Sequence, residues 1–487
     1  MVNTRWAALG VAAALVTACS VGGTQPTKPL FTQAPAPQTG GPSCLLPDVP
    51  TVDDGRGDPY FPKDGGPGYD VTHYKLKLKY DPPTDTLTGT ATIEATALER
   101  LSELHLDFHG MKISKATVGG TLVTPTRIDD SLTVPLPVPV EKDAKLSVQI
   151  DYSGVPQSLD EGNAFGTNGF LHTTEGAFAI GEPHSATTWI PVNDHPRDKA
   201  LYDFELTVPA NLAAITNGVR TSETVAGGLK TSTWKVTSPM ATYLATLAIG
   251  DYRVTEGTHK GLPVINAVHN SIPATTRVDE DIARNGEVLD FLVEKFGPYP
   301  FDALGGIVIN DDRISFALET QTRPIYGNGF WGATRSNTDV IAHELAHQWF
   351  GDSVSVDTWQ HIWLNEGFAT YAQWMWAEDE GRVTTQQEFD RRYATETSPI
   401  WSVPPGCPGR ARIFDSSVYN RGAMTLHMLR DKVGDEKFFT ILQTWVKQKK
   451  DSNATTPQFI ALAEEISGQQ LDDFFNAWLF GKSRPRI

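Results

Sequence analysis

Cysteine is scarce: the 487 residues contain three, Cys19, Cys44 and Cys407. That is too few for a disulfide scaffold or a cysteine-based zinc cluster. After the first 19 residues no uncharged apolar run reaches the roughly 18 residues of a spanning helix, so a membrane-crossing helix in the mature chain is excluded. Lys and Arg are outnumbered, 41 against 58 Asp and Glu, giving a net charge of −17 with no basic run to reverse it locally. Such a chain repels phosphate backbones, which argues against nucleic acid as a partner. No repeat at solenoid or propeller spacing is present. What is there is globular in composition, with 40% hydrophobic and 20% charged residues. At about 150 residues per domain the length allows two to four domains.

Residues 1–19 read MVNTRWAALGVAAALVTAC, with Arg5 ahead of an apolar stretch from Trp6 to Val16. That stretch is too short to span a membrane and has the shape of a secretory signal. Val16-Thr17-Ala18-Cys19 resembles a bacterial lipobox, so Cys19 is the candidate lipid anchor. The chain is then expected outside the cytoplasm, lipid-anchored to the bacterial cell membrane, or secreted if the signal is an ordinary one. Residues 20–68 contain ten Pro and nine Gly, the composition of an extended tether. With Cys19 lipidated, Cys44 and Cys407 remain as a possible disulfide pair. About 420 residues are left for two packed domains.

From Val71 to about Tyr252 short runs of strand character dominate. Tyr74, Leu76, Leu78 and Tyr80 alternate with Lys75, Lys77 and Lys79, the pattern of a sheet with one wet face. Similar runs recur at 87–95, 104–108, 146–152, 201–208 and 229–236, with Gly, Pro and Asp between them. They predict an antiparallel saddle or sandwich. Beyond residue 275 the pattern turns to helix-length amphipathic segments at 278–296, 338–350, 362–378, 423–432 and 457–466. The expected class is α+β and multidomain, a β-rich domain at 69–255 followed by a mainly helical one at 256–487.

The segment from Asp339 to Gly351 carries chemistry. Ser336, Asn337 and Thr338 offer N-caps and Gly351 a stop, predicting a helix of about three turns. Residues four apart share a helix face, so His343 and His347 can point ring nitrogens at one ion. Glu344 sits beside the first of them, able to reach a metal-bound water without being a ligand. Two neutral imidazoles need a third donor to hold zinc, and Glu366, at the start of the next predicted helix, is the candidate. Two solvated histidines on a helix face would be the plain alternative, but they do not account for that glutamate in an aromatic segment. A third histidine six residues after His347 would mark a different zinc architecture, and Ser353 stands there. Three protein ligands leave one position open, as in catalytic rather than structural zinc sites.

His343-Glu344-Leu345-Ala346-His347, continued through Asp352, with Trp359 and the stretch Trp363 to Ala369, resembles the thermolysin-like zinc aminopeptidases related to membrane alanyl aminopeptidase and leukotriene hydrolase. The likeness runs from about residue 70 to the end, taking in 189–196 with Lys199 and Ala200, 238–244 and 296–301. It implies a thermolysin-like catalytic domain, one zinc ion and peptide substrates with a free N-terminus. It implies hydrolysis by a zinc-activated water with Glu344 as general base. Tyr419 matches the family's transition-state tyrosine, which stabilises the oxyanion. The family's Gly-Ala-Met-Glu-Asn motif falls on Phe316-Ala317-Leu318-Glu319-Thr320, so Glu319 is implied to hold the substrate α-amine. Aligning backwards from Pro191 puts Glu182 at the second such position.

The departures are Phe316 for a glycine, Thr320 for an amide, and Thr370 where thermolysin carries an aspartate that orients a histidine. Neither the preferred first residue nor the partners of the zinc ligands therefore carry over. The chain runs about 120 residues past Glu366, so a short form without the family's C-terminal helical domain is expected. Two other readings stay open. One is an endopeptidase or epoxide-type hydrolase on the same zinc site; the other is a non-catalytic surface-binding module.

Overall fold

The computed structural model describes residues 55–160, 166–332 and 336–487. Strand Tyr69–Asp81 buries Tyr74, Leu76, Leu78 and Tyr80 and exposes Lys77 and Lys79, as its alternation predicts. It lies inside an eight-stranded sheet, antiparallel to Thr86–Ala97 and parallel to Lys199–Pro209. Tyr202, from that parallel neighbour, stacks on Tyr74 with ring centroids 4.9 Å apart. Strands Thr167–His172, Ala177–Ile180, Ala213–Thr216 and Leu247–Gly250 belong to a separate five-stranded antiparallel sheet. The N-terminal half is thus the expected β-rich domain, with one parallel pairing that a purely antiparallel reading leaves out.

A further sheet opens the C-terminal half, in the spatial order Tyr252–His259, Leu262–His269, Leu304–Ile309, Ile325–Gly327, Ala317–Leu318. Two of its pairings are parallel. The boundary expected at 255/256 falls inside Tyr252–His259, which pairs along its whole length with Leu262–His269 and so belongs to this sheet. The helices that matter to the site follow: Thr338–His347, Trp363–Asp379 and Ser416–Val433. The single helix expected over 278–296 is two, Val278–Ile282 and Asn285–Phe296. Asn285 is buried there and donates its amide to Asn266 at 2.9 Å.

Residues 55–68, expected as the end of a tether, are packed into the fold. Asp58, Tyr60 and Phe61 are buried. The Asp58 carboxylate accepts from the backbone N–H of Tyr60 (2.7 Å), of Phe61 (3.1 Å) and of Trp359 in the catalytic half (2.8 Å). Arg56 pairs with the buried Asp198 at 2.8 Å. A Pro/Gly-rich stretch stays extended only if it has nothing to bury, and two aromatic rings and a buried carboxylate give this one an anchorage. Cys407 is disulfide-bonded. The signal, Cys19, Cys44 and the first part of the tether lie outside the described residues, and with them the lipid anchor and the expected pairing partner. Among the described residues no helix is long and apolar enough to cross a membrane.

The two halves are joined by buried polar contacts. Lys199 Nζ, on the first residue of its strand, donates to the carbonyls of Asp352 (2.6 Å) and Ser353 (2.9 Å), just past the histidine-bearing helix. Nearby, burial pushes the Asp194 carboxyl up to about 7, against a hydrogen bond from Thr242 that lowers it. Its usual value is 3.8. The folded state thus favours the protonated form; the stability this contributes is present below about pH 4 and is lost as pH rises through about 7. Asp194→Asn lacks this titration. The stability of the natural chain minus that of the variant, from denaturant midpoints, is expected to fall by about 4 kcal/mol between pH 4 and pH 8. A difference that stays constant over that range would contradict it.

Candidate metal centre

The helix Thr338–His347 forms where its motif predicts, but its start is capped from elsewhere. Asn337 stands at the N-cap with no side-chain cap bond of its own. The carboxylate of Asp281 accepts instead from Ser336 Oγ and from the Asn337 N–H, both at 2.7 Å. That satisfies the N-cap N–H and sets negative charge against the positive end of the helix dipole. Beyond the last turn, Gly351 adopts a φ of +141°, a region that favours glycine, and the chain turns back so that the Asp352 N–H donates to the His347 carbonyl at 3.0 Å.

His343 Nε2 lies 3.3 Å and His347 Nε2 3.4 Å from the same oxygen of Glu366, and all three donor atoms fall within 4.8 Å of one another. A tetrahedral zinc with bonds of 2.0–2.1 Å separates its ligands by roughly 3.3–3.4 Å, so these atoms already stand at ligand spacing. The His347 Nδ1 lies 3.0 Å from the Phe350 carbonyl oxygen. An acceptor there fixes the hydrogen on Nδ1 and leaves the Nε2 lone pair facing the centre. Burial would push the Glu366 carboxyl up, but the two imidazoles beside it, His347 first, outweigh it and hold it down at about 2. The donor set thus fits one zinc ion: two imidazole nitrogens and an ionised carboxylate, each nearly free of solvent.

Glu344 is buried beside this triad, its carboxylate, that of Glu319 and a His347 nitrogen lying within 4.8 Å of one another. Burial pushes the Glu344 carboxyl well above its usual value, and the charges of Glu319 and Glu366 add to this against a lowering by His347. Glu319 follows the short edge strand Ala317–Leu318, and Glu182 follows Ala177–Ile180 of the N-terminal half. Both are buried, and neither oxygen of Glu182 nor Oε1 of Glu319 has a hydrogen-bond partner among the described residues. Burial raises both carboxyls, and the Glu319 charge raises that of Glu182 further. Unpaired carboxylates at such depth require a proton or a cation.

Tyr419 comes from the helix Ser416–Val433, which packs closely on Trp363–Asp379 because two glycines meet. A Cβ on Gly422 would stand 2.9 Å from the Gly367 Cα, and one on Gly367 would stand 3.0 Å from the Gly422 Cα. The close approach brings the Tyr419 ring parallel to that of His343, centroids 6.2 Å apart, and into the cavity that Glu366 also lines. Burial, with the charges of Glu366, Glu182 and Glu319, keeps that hydroxyl protonated well above its usual range.

All seven candidate residues, Glu182, Glu319, His343, Glu344, His347, Glu366 and Tyr419, line one cavity of about 480 Å³. A larger groove of about 1030 Å³ between 172–178, 249–252 and 269–313 contains none of them. Chemistry, not size, marks the reactive site. Of the departures, Phe316 lines the catalytic cavity, while Thr320 turns away and donates to the Arg323 carbonyl at 2.7 Å. Two supporting residues carry no signal of their own in the sequence. Gln348, fully buried after His347, donates to the Glu319 carbonyl (2.9 Å) and accepts from the Thr322 N–H (2.7 Å), tying the Glu319 segment to the histidine helix. Gln373, seven residues after Glu366 on the same helix, lines the cavity with the three candidate ligands. A polar residue flanking a candidate ligand is the only hint for Gln348, and Gln373 has none.

Two domain families match the chain, the peptidase M1 N-terminal domain over residues 70–244 and the peptidase family M1 domain over 287–478. Among curated relatives, aminopeptidase M1-C of Oryza sativa subsp. japonica is 27% identical over 93% of this chain and 53% of its own length. Glutamyl aminopeptidase of Rattus norvegicus is 28% identical over 63% of this chain and 34% of its own. The chain spans about half the length of the first curated relatives it matches. Among solved structures, an M1 zinc metallopeptidase of Deinococcus radiodurans superposes with a TM-score of 0.81 at 31% identity, over 89% of this chain. A mutant of the Deinococcus enzyme bound to a Tyr-Ser-Ala substrate superposes equally well at 32% identity. With both M1 domains matched in order and 99% of a solved M1 metallopeptidase covered, the chain belongs to the peptidase M1 family of zinc metallopeptidases.

Proposed function

We propose that this chain is a zinc aminopeptidase that removes the first residue from peptides with a free N-terminus. The observation that carries the reading is the pair of buried carboxylates Glu182 and Glu319 beside the metal triad, with both oxygens of the first and Oε1 of the second lacking a hydrogen-bond partner among the described residues. A peptide α-ammonium brings them the cation they lack, with charge-assisted hydrogen bonds to both. An internal amide brings no charge and would leave both carboxylates unpaired, which disfavours the endopeptidase reading. The relatives named aminopeptidases and the Tyr-Ser-Ala complex of the Deinococcus protein support the same assignment.

Zinc, when held by His343, His347 and Glu366, supplies a Lewis acid that lowers the pKa of water from about 15.7 towards 7 and polarises the scissile carbonyl. Glu344, its carboxyl made more basic by burial, takes the proton of the attacking water and delivers it to the departing amine. Tyr419 stays protonated and donates its hydroxyl to the oxyanion that forms as the water adds. With metal ligands, base and hydroxyl all lining one cavity, the non-catalytic reading has no missing group to rest on.

Glu319→Ala tests the amine site. Its kcat/KM on amino-acyl anilides is expected to fall about 10²-fold, chiefly through KM, with zinc content unchanged. Unaltered anilide cleavage would favour the endopeptidase or epoxide-type reading instead.

A further inference from the structure

We infer that Phe316 and Phe330 form an apolar mouth that selects the second residue of the substrate, the one that becomes the new N-terminus. The inference rests on the aminopeptidase reading and adds what the same cavity takes beyond the scissile bond. The cavity has a deep end and an open one. Glu182, Glu319, Glu344 and Glu366 are buried in it, whereas Ser315 and Gly329 line it and are exposed. Next in sequence to that exposed pair stand Phe316 and Phe330, both half-buried and both lining the cavity.

The backbone sets the direction of the peptide. Ala317–Leu318 is the last strand of its sheet, paired among the described residues with Ile325–Gly327 alone. An extended peptide adds to such an edge as a further strand, and Ala317 lines the cavity. With its α-ammonium held at the buried Glu319, the peptide leads outwards along Ala317 and Phe316 to the opening at Ser315. At about 3.3 Å per residue, Phe316 stands roughly 10 Å along the segment from Glu319. The first residue is used up between Glu319 and the metal triad, so the next side chain arrives beside Phe316. The second ring is held to the first through the backbone. The Gly327 N–H donates to the Phe316 carbonyl at 3.0 Å, and the turn Asn328–Phe330 follows directly. Two aromatic rings there bury an apolar or aromatic side chain and gain nothing from a glycine. A glycine at 316, as the family resemblance would have it, leaves that wall without a side chain.

The test is kcat/KM for alanine release from Ala-Gly-Gly, Ala-Leu-Gly and Ala-Phe-Gly on the zinc-loaded full chain. The natural chain is expected to favour the leucine and phenylalanine peptides by about 10-fold or more, chiefly through KM. In Phe316→Ala that ratio is expected to shrink to about 2-fold, while the ranking among Ala-Gly-Gly, Leu-Gly-Gly and Arg-Gly-Gly, which differ at the first residue, stays that of the natural chain. Phe330→Ala is expected to lower the same ratio by about 3-fold, and it reads the site if Phe316→Ala does not fold. Alanine released at equal rates from the three peptides by the natural chain would overturn the inference and leave the aminopeptidase reading standing. A second-residue ratio untouched by both substitutions, or a change confined to the first-residue ranking, would overturn it too. No release from any of the peptides would sink the aminopeptidase reading, and this inference with it.

Discussion

Glu344→Gln is expected to lower kcat by about 10³-fold or more, with zinc still bound and the fold intact. General acid–base groups contribute about 10²- to 10⁴-fold, and a glutamine can neither take nor deliver the proton. The side chain keeps its shape, and the ligands His343, His347 and Glu366 are untouched. Glu344 also adds a charge to a buried acidic cavity, its carboxylate within 4.8 Å of that of Glu319. Neutralising it relieves repulsion, so thermal stability is expected to hold or rise. The measurements are kcat on an amino-acyl fluorogenic substrate, zinc content by metal analysis, and the melting temperature. Full activity with zinc retained would remove Glu344 from the mechanism and leave the site without a base.

Much of the site can be read in the chain because its chemistry is local. His343, Glu344 and His347 sit on one helical turn, and Glu366 falls near the start of the next helix, so one periodic segment and one spacing find the candidate metal ligands. Glu319, Glu182 and Tyr419 need the family likeness, since a single Glu or Tyr carries no signal in an acidic, aromatic chain. What stays hidden depends on residues far apart. Asp281 caps the histidine helix from 55 and 56 residues upstream, and no local pattern announces it. Lys199 reaches its two carbonyls 153 and 154 residues away.

The fold follows the same division. Half-buried strands such as Tyr69–Asp81 alternate and are found, whereas Leu304–Ile309, buried at all six positions, does not alternate and looks like any short apolar run. The catalytic half therefore reads as mainly helical, although a five-stranded mixed sheet supports Glu319. Residues 55–68 read as tether because Pro and Gly report backbone preference, whereas burial depends on what Tyr60 and Phe61 find to pack against. The close helix approach that brings Tyr419 to His343 depends on Gly367 and Gly422 meeting, and neither glycine announces the other.

The central proposal is that two buried carboxylates short of hydrogen-bond partners select a charged α-amine. The effect should be large. An α-ammonium between Glu182 and Glu319 is paired on both sides, while an acetylated terminus is neutral and leaves both carboxylates uncompensated in a cavity where burial already raises them. Leaving a buried charge unpaired costs about 3–5 kcal/mol, or some 10²- to 10⁴-fold in rate. The direct measurement is kcat/KM for one peptide with its N-terminus free and then acetylated, on the zinc-loaded full chain. The account predicts a preference of about 10³-fold for the free peptide. Equal rates on the two would contradict it and leave the zinc site to an endopeptidase.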